Sequence, residues 1–175
     1  MQQQNTLTLQ KANIGLSLMR IALGSLFLAA MAQISIPIGP IPLTLQTLGV
    51  LLLGITLGSK EGFLAVALYL AEATVGLPVL AGWTSNPLWF AFPTAGYLFG
   101  FLATAIIAGK AKDTWVSAFS WLSLAVLTTL TIGSSVLAMF IGMKEAFLVG
   151  FAPFIIGEAL KVGLAAASIK IKKFF

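Results

Sequence analysis

The sequence predicts an all-α integral membrane protein, a single membrane domain over residues 1–175 built as a bundle of six transmembrane helices. Hydrophobic residues fill 59% of the 175 positions and charged residues only 9%, whereas a soluble domain carries roughly 25% charged residues to hold its surface in water. A hydrocarbon core about 30 Å thick takes about 20 apolar residues per spanning helix, so a chain of this length holds five to seven spans and no separate soluble domain. The basic residues fall between the apolar runs, mostly at alternate connections, the pattern left by retention of lysine and arginine in cytoplasmic loops.

The first apolar run predicts helix 1 from Leu16 to Ile34; it is too long and too weakly flanked for a cleaved signal peptide. It ends at Ile36-Pro37-Ile38-Gly39-Pro40-Ile41-Pro42, where three prolines remove backbone donors and disfavour helix in their predecessors. That stretch is expected to be an ordered or re-entrant loop. A short helix 2, Leu45 to Leu57, is followed by the turn Gly58-Ser59-Lys60-Glu61 and by helix 3, Gly62 to Leu77. Leu77-Pro78 opens an uncharged loop, Val79 to Pro93, holding Trp83, Asn86, Trp89, Phe90 and Phe92. Helix 4 runs from Thr94 to Ala108, Lys110 to Asp113 form a basic turn, and helix 5 runs from Trp115 to Ile141. Met143-Lys144-Glu145 leads into helix 6, Ala146 to Ile169, which Pro153 kinks or restarts.

Six spans place Lys11, Lys60, Lys110, Lys112, Lys170, Lys172 and Lys173 on the cytoplasmic side, with Arg20 snorkelling toward it and only Lys144 outside. Both termini are then cytoplasmic and both proline- and aromatic-rich loops external. The net charge of +5 is read as topological anchoring, not as a nucleic-acid footprint. Cysteine and histidine are absent, which removes disulfides, thiol chemistry and the usual transition-metal sites. Gly54 to Lys60 looks vaguely like a phosphate loop, but the lysine does not follow the glycine directly and no strand precedes it. Nucleotide hydrolysis is not expected, and neither is any other enzyme activity, because too few nucleophiles and acids lie together.

An ionisable group inside the bilayer costs roughly 2.5–3.5 kcal/mol on insertion scales, so Arg20, Glu72, Glu158 and Lys161 are the candidates for function. Glu158 and Lys161, three residues apart, share one helical face; they form either part of a binding site or a mutual ion pair tying helix 6 to the bundle. Glu72, within two turns of the outer end of helix 3, is either functional or an interfacial carboxylate. Thr44, Gln46 and Thr47 after the proline run, with Asn86, Thr94 and Tyr97 beside the second loop, supply neutral hydrogen-bonding groups at one level. The aromatic residues Trp83, Trp89, Phe90 and Phe92 are in part an interfacial belt.

Four ordered segments carry a resemblance. They are Ala32-Gln33-Ile34-Ser35-Ile36-Pro37 running into Pro42-Leu43-Thr44-Leu45-Gln46-Thr47-Leu48, Gly76-Leu77-Pro78-Val79-Leu80-Ala81-Gly82, Pro93-Thr94-Ala95-Gly96-Tyr97-Leu98-Phe99-Gly100-Phe101, and Pro153-Phe154-Ile155-Ile156-Gly157-Glu158-Ala159-Leu160-Lys161. Together they resemble the BioY family, the biotin-specific S components of energy-coupling-factor transporters, over nearly the whole chain from Arg20 onward. The departures are Glu158 where the family usually has aspartate, Ile156 where it has proline before the glycine, and Ala95-Gly96 where it has two glycines.

The resemblance implies a prokaryotic plasma-membrane protein of six helices that captures biotin from outside, with a transmembrane coupling subunit and two ATPases as partners and no cofactor or metal. Biotin offers an apolar bicyclic body, a ureido group with two donors and an acceptor, and a carboxylate. On these terms Lys161 is expected to neutralise the carboxylate, Glu158 or Asn86 to accept the ureido N–H groups, Gln46, Thr44, Thr94 and Tyr97 to complete the polar contacts, and Trp83 to cover the ring. An S component for another vitamin and a stand-alone ion-coupled carrier using Glu72 or Glu158 are the alternatives. Small residues let membrane helices approach closely, so the stripe Ala22, Ser25, Ala29 and Ala32, with Ser25 and Ala29 as its small-xxx-small pair, is expected to meet the coupling subunit unless it packs internally against helix 3 or 6.

Overall fold

In a computed structural model, residues 2–37, 41–111 and 114–172 are described, with side chains over 13–37, 41–111 and 114–169. Helix α1 covers Gln2–Gln33 and so begins well before the apolar run that predicts it. The proline segment becomes a small antiparallel hairpin in which β1 (Ser35–Ile36) pairs with β2 (Leu43–Thr44). Its central residues Ile38, Gly39 and Pro40 lie outside the described residues, as do the side chains of Lys11, Lys112, Lys170, Lys172 and Lys173.

Gln46–Thr74 is helical except at Gly58, whose φ of 77° and ψ of 174° are open to glycine alone. The chain doubles back there. Gln46 Nε2 donates to Tyr69 Oη at 2.7 Å, although 23 residues of straight helix would hold them about 34 Å apart at 1.5 Å per residue. Two helices result, α2 (46–57) and α3 (59–74), as the sequence predicts, with the turn narrowed to one residue and α3 ending at Thr74, not Leu77. At about 18 and 24 Å, each is shorter than the bilayer core is thick.

Gly76, at φ 89°, ends α3, and the Leu77 N–H returns to Glu72 O at 3.0 Å. The loop that follows holds 3-10 turns at Ala81–Trp83 and Trp89–Ala91. Helix α4 is Ala95–Ala108 and α5 is Trp115–Ile141, the latter capped by Thr114, which accepts from the Ser117 N–H. The last span, α6, runs Met143–Ala146, passes through a π-helical turn at Phe147–Phe151, bends by 41° at Ala152-Pro153, and continues as Phe154–Lys172. Pro153 supplies no N–H to the ladder, which accounts for the break.

Asn13–Gln33 and Trp115–Ile141 are each long and apolar enough to cross a bilayer, and the two halves of α6 pass together as a bent span. Helices α2 to α4 fill the space between them. Packing is by close backbone approach, as expected where no hydrophobic force drives helices together in lipid. A Cβ on Gly54 would stand 2.6 Å from Ala108 Cβ, and one on Gly100 would stand 2.8 Å from Thr129 Cα.

The small-residue stripe on α1 requires a correction. Ser25 and Ala32 are wholly buried and Ala29 is 8% exposed, and the Ser25 hydroxyl donates to Glu72 Oε2 at 2.6 Å. A Cβ on neighbouring Gly24 would meet Ala65 Cβ at 2.9 Å. Ser25 and Ala29 therefore face α3 inside the bundle and present no surface to a coupling subunit; Ala22 alone of the stripe is exposed. Arg20 reaches Glu61 at 3.8 Å, beside the α2–α3 turn.

Candidate ligand-binding cavity

A cavity of about 460 Å³ opens between the starts of α2 and α4, the middle of α5 and the bend of α6, within the range usual for small-molecule sites. Two short helices meet it with their N-terminal ends, α2 through Gln46 and Thr47 and α4 through Tyr97 with Thr94 just before it. The walls are largely apolar, with Ile41 and Pro42 from the hairpin, Leu98 and Phe101 from α4, Val126 and Leu130 from α5, and Phe154 from α6. The loop after α3 roofs it with Leu80, Ala81, Thr84, Ser85, Asn86 and Trp89.

The polar floor is built around Glu158, which is 4% exposed. Its Oε1 accepts from Lys161 Nζ at 2.7 Å and from Thr47 Oγ1 at 3.1 Å. Its Oε2 is buried and has no hydrogen-bond partner among the described residues. Leaving a buried charged acceptor unmatched is costly. Lys161 Nζ also donates to Thr44 O at 2.7 Å, and Lys161 itself does not line the cavity. Two of its three donors are thus committed, one of them to Glu158, where the sequence reading has Lys161 neutralise a ligand carboxylate.

Thr44 and Gln46 are bound to each other and into a longer chain. Thr44 Oγ1 donates to Gln46 Oε1 at 3.0 Å, Gln46 Nε2 to Tyr69 Oη at 2.7 Å, and Tyr69 Oη to Val79 O at 3.2 Å. Sequence reasoning missed Tyr69, whose fully buried hydroxyl on α3 ties the floor to the roof loop. Tyr97 lines the cavity with its ring, while its hydroxyl donates to Gly150 O at 2.7 Å in the π-helical turn; a Cβ on Gly133 would overlap that ring. Thr94, just before α4, lines the wall.

Asn86 lines the roof, and its Oδ1 already accepts the Leu88 N–H at 3.1 Å. That oxygen keeps a second lone pair and the amide NH2 its donors, so Asn86 can accept or donate toward the cavity, with Glu158 as a further acceptor. Trp83 is 70% exposed and does not line the cavity. The aromatic wall is Trp89 instead, held by Nε1–H to Thr74 Oγ1 at 2.9 Å and packed on Phe99 with ring centres 5.0 Å apart. The choice between these two tryptophans depends on a loop path that no local pattern encodes.

Comparison with known proteins agrees with this architecture. The model of the BioY family matches residues 2–174. The probable biotin transporter BioY of Pyrococcus horikoshii is 38% identical over 148 residues, covering 83% of this chain and 90% of that protein. The biotin transporter BioY of Thermotoga maritima is 38% identical over 149 residues, covering 81% and 87%. A crystal structure of the S-component for biotin from an ECF-type ABC transporter superposes with a TM-score of 0.83 at 26% identity, covering 95% of this chain and 93% of that one.

Proposed function

The chain belongs to the BioY family, and we propose that it is the membrane subunit that captures biotin for import by an energy-coupling-factor transporter. The observation that carries this reading to the residues is the buried Oε2 of Glu158, an unmatched charged acceptor in the polar floor of a vitamin-sized apolar cavity. A ureido N–H supplies the donor that this oxygen lacks, and the bicyclic body fits against Trp89, Leu98, Phe101 and Leu130. With the ureido end at Glu158, the carboxylate end reaches the roof, where Asn86 offers its amide donors beside Thr84 and Ser85. Lys161 acts at one remove, holding Glu158 in place.

In this reading the cavity opens to the outside. Lys60 stands beside the α2–α3 turn, which docks on the far end of α4 through Ser59 Oγ and Ile106 O at 2.7 Å, and Lys110 follows that same end. Both are at the opposite ends of α2 and α4 from the cavity, which under the positive-inside rule supports an external cavity and cytoplasmic termini. The chain then delivers bound biotin to a coupling subunit and ATPases and performs no bond-making chemistry itself. The test is titration of purified protein with biotin by calorimetry, together with mass spectrometry of the small molecule that copurifies. Saturable biotin binding is expected; another vitamin in its place, or uptake driven by a proton gradient without any ATPase, overturns the reading.

A further inference from the structure

Gln33, the last residue of α1, has no part in the cavity wall, yet every polar atom of its side chain is committed. Its Oε1 accepts the Trp83 N–H at 2.8 Å. Its Nε2 donates to Leu80 O at 3.2 Å and to Ala29 O at 2.9 Å. One side chain thus grips both ends of the turn Leu80–Trp83 from a helix 47 to 50 residues earlier in sequence.

That turn is a strained piece of backbone. Gly82 and Trp83 both lie in the left-handed region, with φ of 70° and 56°, and a bulky residue at positive φ persists only where its surroundings hold it. The Trp83 ring is 70% exposed and so contributes little packing to hold that conformation. Leu80 and Thr84 form an isolated antiparallel bridge across the turn, and Thr84 Oγ1 donates to Ala81 O at 3.0 Å. Leu80, Ala81 and Thr84 all line the cavity. The turn is therefore the edge of the roof, and Gln33 fastens it to α1.

We infer that Gln33 is a positioning residue: its amide latches the Leu80–Trp83 turn over the cavity and so governs how fast a ligand leaves, without touching the ligand. Oxygen and nitrogen are both needed, since one faces an N–H and the other a carbonyl, which no carboxylate or apolar side chain of the same length can match. The roof is fastened elsewhere by Tyr69 Oη to Val79 O, Ser85 Oγ to Gly76 O and Trp89 Nε1 to Thr74 Oγ1, but none of these three bonds reaches the turn itself.

The inference rests on the cavity being the biotin site, and its experiment separates the two. Stopped-flow tryptophan fluorescence with biotin would be recorded for the unaltered protein, Gln33→Met and Gln33→Glu. Loss of two hydrogen bonds predicts dissociation about tenfold faster in Gln33→Met, with discrimination between biotin and an analogue lacking the ureido group unchanged because Glu158 is untouched. Gln33→Glu keeps the acceptor for Trp83 but opposes Leu80 O with a second acceptor, and should also release faster. In a Gln33→Cys, Trp83→Cys protein, a short bis-methanethiosulfonate linker should slow release below that of the same protein before linking; the chain has no other cysteine. Unchanged dissociation in a Gln33→Met protein that melts like the parent overturns the latch while leaving the biotin site standing. Absence of biotin binding by the unaltered protein overturns the site itself.

Discussion

Glu158 is the residue on which the cavity's chemistry turns, and its environment distinguishes it from an ordinary buried ion pair. A pair whose atoms are all matched is often replaceable by apolar residues at no cost, whereas removing one partner strands the other. Here Lys161 and Thr47 satisfy Oε1 and nothing among the described residues satisfies Oε2, so the pair is built asymmetrically. Lys161→Met is expected to strand the carboxylate, lowering stability by about 3 kcal/mol and weakening biotin binding by about 2 kcal/mol. Glu158→Gln combined with Lys161→Met should recover most of that stability but not the affinity, because an amide presents a donor as readily as an acceptor to the ureido edge. Thermal melting in detergent and calorimetric titration separate the two effects. Full affinity in a folded Lys161→Met protein would leave Lys161 with a structural role only.

At the scale of elements, the α2–α3 hairpin sets the depth of the cavity. If Gln46–Thr74 were one straight span, Gln46 and Tyr69 would stand at opposite faces of the membrane and the bond between floor and roof could not form. The reversal depends on Gly58, because only a residue without a Cβ takes φ 77° with ψ 174° cheaply. Gly58→Ala should therefore cost about 1–3 kcal/mol, although a Cβ there would meet open space. The cost is conformational, not steric. A lowered melting temperature with an unchanged biotin stoichiometry is the expected result; a melting temperature equal to the parent's would mean that the turn relaxes into a geometry open to alanine. Pro153 does the corresponding work in α6, bending it by 41° just before Phe154 and Glu158 enter the wall.

For the whole molecule, the consequence of burial on α1 reaches the partner surface. Ala29 lies in the apolar core with Val66 and Tyr69, so Ala29→Trp should abolish biotin binding together with any assembly with a coupling subunit. Leu26, 61% exposed on the other face of α1, is the control: Leu26→Trp should leave biotin binding intact. Titration of both variants with biotin, followed by size-exclusion chromatography, checks this. Normal binding by Ala29→Trp would mean that α1 can part from α3 without disturbing the cavity.

The membrane class, the six helices, the reversal at Gly58 and the break at Pro153 were legible in the sequence. Each follows from properties read along a short stretch: hydropathy over a span, a missing N–H or a missing Cβ. Helix ends slipped by a few residues, as at Leu77 and Gly62, because caps depend on which carbonyl a returning N–H finds. What a side chain faces was decided by tertiary structure alone. A stripe of small residues looks the same whether it meets a partner or α3, and the apolar solvent around a membrane protein removes the polar face that would mark the outside of a soluble helix. For the same reason only the folded chain could assign Lys161 to Glu158, choose Trp89 over Trp83 for the cavity wall, and bring Gln33 and Tyr69 to a loop that lies far from Gln33 in sequence. Those are contacts between distant segments, fixed by the packing of every helix at once.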